Sequence, residues 1–168
     1  MPERLWFNAL WFQATWFCTV LGRDRLLALT LAMLALHLWL VRDRVLELKV
    51  LLPVALTGMA VDSLLSLVGV YQFSSSGPIP LWLCGLWLAF ATTLSRSLGF
   101  LCRSAWLAGL VGIVVPVNYL AGERLGAVEF GLPLGATLPL LALVWAALLP
   151  TLCYITVYLR ETPRRAST

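Results

Sequence analysis

The charged residues of this chain are gathered into short clusters, and the apolar runs between them constrain the fold more than any other feature. The clusters are Glu3-Arg4, Arg23-Asp24-Arg25, Arg42 to Lys49, Arg103, Glu123-Arg124 and Arg160 to Arg165. The intervening runs approach the roughly 20 residues that a helix needs to cross a hydrocarbon core about 30 Å thick. Composition agrees with this placement. Apolar residues make up 61% of the chain and charged residues 12%, about half the ~25% of a soluble domain. A soluble fold of 168 residues could not cover its surface with so few polar groups, so lipid is the expected solvent for much of the chain. The expected fold class is all-α, a polytopic transmembrane helical bundle.

Six spans are expected, at about 5–21, 26–41, 50–70, 79–94, 105–120 and 134–159. Residues 1–160 then form a single transmembrane domain, and 161–168 a polar cytoplasmic tail. With the N-terminus inside, one side holds Arg4, Arg42, Arg44, Lys49, Arg96, Arg103, Arg160, Arg164 and Arg165, and the other Arg23, Arg25 and Arg124. Nine basic residues against three favour N-in/C-in under the positive-inside rule. The alternative is a re-entrant hairpin of the first two spans, which would leave four crossings and bring Arg23 and Arg25 inside. Arg4 followed by 5–21 has the form of a signal peptide, but no small-x-small cleavage site follows, so an uncleaved first helix is expected. Pro53, Pro116, Pro139 and Pro150 fall within spans, where neighbouring groups commonly satisfy the backbone carbonyls that a kink frees.

The formal charge of +4 comes from dispersed loop arginines. No basic face with polar or aromatic readers accompanies it, so nucleic acid is not an expected partner. Cys18, Cys84, Cys102 and Cys153 stand singly, without metal-ligand spacing, and are read as packing residues. His37, the single histidine, has no carboxylate or cysteine beside it in the sequence and is read as a structural residue. No metal or other cofactor is expected.

Polar groups inside the spans are the informative exceptions. Asp62 lies twelve residues into the third span, about 18 Å along at 1.5 Å per residue, near the membrane centre. A carboxylate there is costly and faces the protein interior or a polar cavity. It must be protonated or paired. Arg96, beside Thr92 and Thr93 at the cytoplasmic end of the fourth span, is the expected partner, at a depth differing by something like 10 Å. In the first span Asn8, Thr15 and Thr19 share one face while Gln13 points elsewhere. Helix–helix hydrogen bonding is the ordinary role for such amides, and ligand binding the sharper one. The pairs Trp6-Phe7, Trp11-Phe12 and Trp16-Phe17 recur every five residues, about 140° of helical rotation, so their rings surround the helix.

These residues carry a resemblance. Asn8, Gln13, Trp16 and Gly22; Asp62-Ser63-Leu64 with Gly69-Val70; Trp82, Leu86-Trp87 and Phe90 to Leu94; and Tyr119-x-Ala121-Gly122-x-x-Leu125-Gly126-Ala127 resemble a small bacterial inner-membrane family, domain of unknown function 2878. The resemblance covers nearly the whole chain. It implies a multi-pass protein of the bacterial inner membrane. Through the fatty-acid-modifying genes found beside its members, it also implies a link to membrane lipid modification. Where the family pattern has Asn-His after the threonines, this chain has Ser95-Arg96. A role resting on that histidine would have to pass to Arg96.

No GxSxG, HExxH, P-loop or dinucleotide fingerprint occurs. The expectation is a non-catalytic module that binds a lipid or small molecule, or docks a membrane-protein partner. Its polar cluster would be Asn8, Gln13, Trp16, Asp62, Thr92, Thr93, Arg96 and Tyr119. One alternative is a membrane-embedded enzyme acting on lipid with Asp62 as acid or base. Another is a small transporter or a binding subunit like those of vitamin transporters.

Overall fold

The computed structural model describes residues 4–74 and 77–165, with the side chains of 162–165 set aside. Among the described residues the chain is helical, with short 3-10 turns at Arg23–Leu26 and Leu101–Arg103, apart from one two-residue strand pair. Its elements are α1 (Leu5–Gly22), α2 (Leu27–Leu40), α3 (Arg44–Leu67), β1 (Tyr71–Gln72), α4 (Leu81–Leu94), α5 (Ala105–Val114), α6 (Pro116–Arg124), β2 (Glu129–Phe130) and α7 (Leu134–Arg165). Among the described residues, three helical stretches are long and apolar enough to cross a membrane: Arg44–Leu67, Ala105–Arg124 (α5 continued by α6) and Leu134–Glu161. The expected six segments all fold as helices, but α1, α2 and α4, the last two only 14 residues each, are not among those three.

Two boundaries differ from the expectation. α3 begins at Arg44, because Asp43 caps it by accepting from the Leu46 backbone N–H at 2.9 Å. Its first turn therefore takes in Glu47, which the charge cluster had placed in a loop. α7 continues to Arg165, through much of the segment expected as a tail, while 166–168 lie outside the described residues. Pro116 breaks the fifth segment. It has no N–H to donate, so Val115 turns back to the Gly112 carbonyl at 3.2 Å and α6 restarts with proline in its first turn.

α4 packs against α1, α2 and α3, while α7 packs against α3, α5 and α6. α3 therefore joins two groups of helices. Gly112 permits the close α5–α7 approach, since a Cβ there would lie 2.3 Å from the Trp145 carbonyl oxygen.

Long-range contacts gather the connections at two ends. At one end His37, Glu47 and Arg96 meet, and Asn8 bonds Ser97. Leu5 and Arg160 line a pocket with Glu47 and Arg96 at this same end. At the other end Arg23 donates to the Leu125 and Gly126 carbonyls, and Asp24 accepts from the Trp82 N–H. β1 pairs there antiparallel with β2, Tyr71 opposite Phe130. Successive helical segments thus run back and forth between the two ends.

Candidate functional site

Asp62 sits on the inward face of α3, with 1% of its surface exposed. That face repeats at helical spacing through Glu47, Val54, Gly58, Asp62 and Leu65. The Asp62 carboxylate accepts from the Tyr71 hydroxyl at 2.6 Å and the Tyr119 hydroxyl at 2.8 Å, both on Oδ1. The Trp87 indole donates to Oδ2 at 2.7 Å. An indole N–H can only donate. The Tyr119 hydroxyl accepts from the Trp145 indole at 3.2 Å, leaving its own proton for Asp62. The proton inventory therefore suits a carboxylate held by three neutral donors.

Each donor is positioned by a different device. The β1–β2 pairing fixes Tyr71, which is fully buried. Burial, then the facing Tyr119 and Asp62, pushes the Tyr71 phenol well above its ordinary value, so it stays protonated and donates. Trp87 reaches Asp62 across Gly58, four residues before it on α3, where a Cβ would come within 2.2 Å of the Trp87 ring. Tyr119 stands three residues beyond the helix restart at Pro116. Trp87 and Trp145 stack at 5.5 Å with their planes 7° apart, and Phe90 meets both edge-on.

Asp62, Trp87, Phe90, Tyr119 and Trp145 border a cavity of about 240 Å³. Phe12, Gln13, Trp16 and Val20 of α1 line it, as do Phe73, Trp82, Leu86, Trp87 and Phe90. Asn118, Tyr119 and Gly122 of α6 and Trp145 of α7 complete much of the lining. Eight aromatic side chains share the lining with aliphatic ones, and Asp62 is its one acidic group among the described residues.

The sequence-derived cluster separates into parts. Asp62, Tyr119, Gln13 and Trp16 meet around the cavity. Asn8 does not: its amide donates to the Thr92 hydroxyl at 3.3 Å and accepts from the Ser97 hydroxyl at 2.6 Å, tying α1 to the end of α4. Thr92 and Thr93 bond back to the Ala89 and Phe90 carbonyls at 2.8 and 2.6 Å.

The expected Asp62–Arg96 pair does not form. Arg96 clasps Glu47 with both terminal nitrogens, at 2.5 and 2.8 Å, and His37 Nε2 lies 2.9 Å from the same carboxylate. The reason is depth. Glu47 and Asp62 are fifteen residues apart on α3, about 22 Å at 1.5 Å per residue, and α4 delivers Arg96 to the Glu47 end. His37, without a carboxylate nearby in sequence, has one in space.

Sequence reasoning missed Tyr71, Trp87 and Trp145 as partners of this site. An indole within an apolar helix needs an acceptor, and that signal was present at Trp87 and Trp145.

A family model described as Protein of unknown function (DUF2878) matches residues 5–151. The chain belongs to that family. Neither a curated protein nor a solved structure matches it. In this member of the family the matched region takes in Asp62, all three of its hydrogen-bond donors and every residue lining the cavity.

Proposed function

We propose that this protein is a multi-pass module of the bacterial inner membrane that binds a small lipid-derived or other amphipathic molecule in the aromatic cavity beside Asp62. The observation that carries this reading is the cavity itself: about 240 Å³, lined by aromatic and aliphatic side chains and bordered by one oriented carboxylate. Ligand sites commonly combine an apolar lining with a few placed polar groups. The family resemblance supports a membrane-lipid setting.

Six crossings with both termini in the cytoplasm, and a single domain over 1–160, complete the proposal. The back-and-forth course of the helical segments and the nine-to-three basic bias support it. Lipid is the expected partner, and the apolar outer faces suit lipid or a membrane-protein partner. Catalysis by Asp62 has less support, because three donors already hold the carboxylate, and the described residues lining the cavity include no serine, cysteine, threonine, lysine or histidine.

The test is solvent extraction and mass spectrometry of protein purified from native membranes. A defined small molecule should co-purify with wild type and be lost in Leu86→Trp, which fills the cavity, at matched protein levels. Recovery of neither a defined ligand nor a change in Leu86→Trp would sink the reading.

A further inference from the structure

Asp62 has no cationic partner among the described residues. Its contacts are Tyr71, Trp87 and Tyr119, all neutral donors. Arg96 bonds Glu47 instead, and Arg23 the carbonyls of Leu125 and Gly126. A buried carboxylate without a counter-charge is expensive, even when it is well hydrogen-bonded. A carboxylate offers about four acceptor positions, and three are taken, so one is left over.

The same carboxylate borders a cavity whose lining combines aliphatic side chains with aromatic ones, among them Trp16, Trp82, Trp87, Phe90 and Trp145. Aromatic faces attract cations through their quadrupole, most strongly where water is excluded. At about 240 Å³ the space lies below the usual ~300–1,000 Å³ of drug-sized pockets, which suits a head group and excludes a whole lipid. Opposite charge, ring faces and small volume coincide at one place.

We infer that the cavity binds a small organic ammonium group, with Asp62 as its counter-ion and the tryptophans as its cage. This inference rests on the ligand-binding reading above and names the ligand class. The ammonium comes either from a free alkylammonium compound or from the head group of a zwitterionic phospholipid. Both present the same chemistry to the cage.

The experiment uses full-length protein in phosphatidylglycerol nanodiscs, titrated with choline and with its uncharged isostere 3,3-dimethyl-1-butanol. Calorimetry and tryptophan fluorescence are the readouts. Choline should bind at least about ten-fold more tightly than the isostere, a difference of about 1.4 kcal/mol. Asp62→Asn should erase that preference. Should Asp62→Asn not fold, Trp16→Leu serves instead. It removes a cage wall without touching the Asp62 hydrogen bonds, and should weaken choline more than the isostere.

Repeating the titration in phosphatidylcholine nanodiscs distinguishes the sources. Competition by the lipid identifies the head group as occupant, and undiminished choline binding identifies a free compound. Equal affinity for choline and isostere, choline binding unaltered by both variants, or no choline binding at all overturns the ammonium assignment. The broader cavity reading falls only if the extraction experiment also returns nothing.

Discussion

At the scale of single residues, the site depends on what is missing as much as on what is present. Trp87 reaches the Asp62 carboxylate because Gly58 has no side chain. An added Cβ would meet the Trp87 ring at 2.2 Å. The ring cannot retreat, since it is stacked on Trp145 at 5.5 Å. Gly58→Ala should gain up to about 1 kcal/mol in helix propensity but lose about 1–3 kcal/mol to overpacking. It also strains the 2.7 Å Trp87–Asp62 hydrogen bond, so the net effect is destabilising. Thermal unfolding in detergent should show a midpoint lowered by several degrees, with altered tryptophan emission. Gly135→Ala is the control. Nothing lies within 4 Å of its Cβ position, so it should be neutral or stabilising by about 0.4–1 kcal/mol. An unchanged midpoint for Gly58→Ala would mean that the close Trp87 approach is not required. Asp62 was legible as a residue needing partners, because a lone carboxylate in an apolar run is conspicuous. Its actual partners were not legible, because tyrosine and tryptophan look like packing until their hydrogen bonds are traced.

At the scale of elements, Glu47 joins three of them. It accepts from Arg96 beyond α4 and faces His37 of α2, from the first turns of α3, with 4% of its surface exposed. Removing one partner of a buried ion pair leaves the other uncompensated, at about 3–5 kcal/mol, whereas replacing both with apolar groups is often neutral. Glu47→Ala should therefore destabilise by roughly that amount. Glu47→Leu combined with Arg96→Met should recover most of it. A double-mutant cycle by denaturant titration in detergent checks this; additive effects would show that the ion pair is not coupled. The sequence offered one clue to this network. Glu47 shares the helical spacing of Val50, Leu51 and Val54, all buried, which places it on an inward face. Its membership of a charge cluster hid that periodicity.

At the scale of the whole molecule, the two ends of the bundle carry different chemistry. One end holds the His37–Glu47–Arg96 network with Leu5 and Arg160 nearby. The other is closed by the β1–β2 pair and by the α1–α2 turn, where Arg23 bonds the Leu125 carbonyl and Asp24 the Trp82 N–H. With six crossings, reporter fusions after Arg42 and after Ser76 should lie on opposite sides of the membrane, cytoplasmic for the first and external for the second. Reporters on a common side would eliminate that topology; a re-entrant α1–α2 hairpin keeps Arg42 and Ser76 on opposite sides and is told apart by a reporter after Arg25, external with six crossings and cytoplasmic with the hairpin.

The sequence by itself determined the class of molecule and the approximate location of its helices. Apolar run length and charge placement act locally, and each segment's preference for lipid or water can be summed without knowing its neighbours. Only the tertiary structure decided which polar groups meet. Tyr71 lies nine residues from Asp62, Trp87 twenty-five and Tyr119 fifty-seven, and they converge because a strand pair, a glycine and a proline-broken helix each bring one of them to the same point. Arg96 went to Glu47 for the same kind of reason. A buried charge pairs with what the packed helices bring to its own depth, and depth is set by the register of α3 against α4.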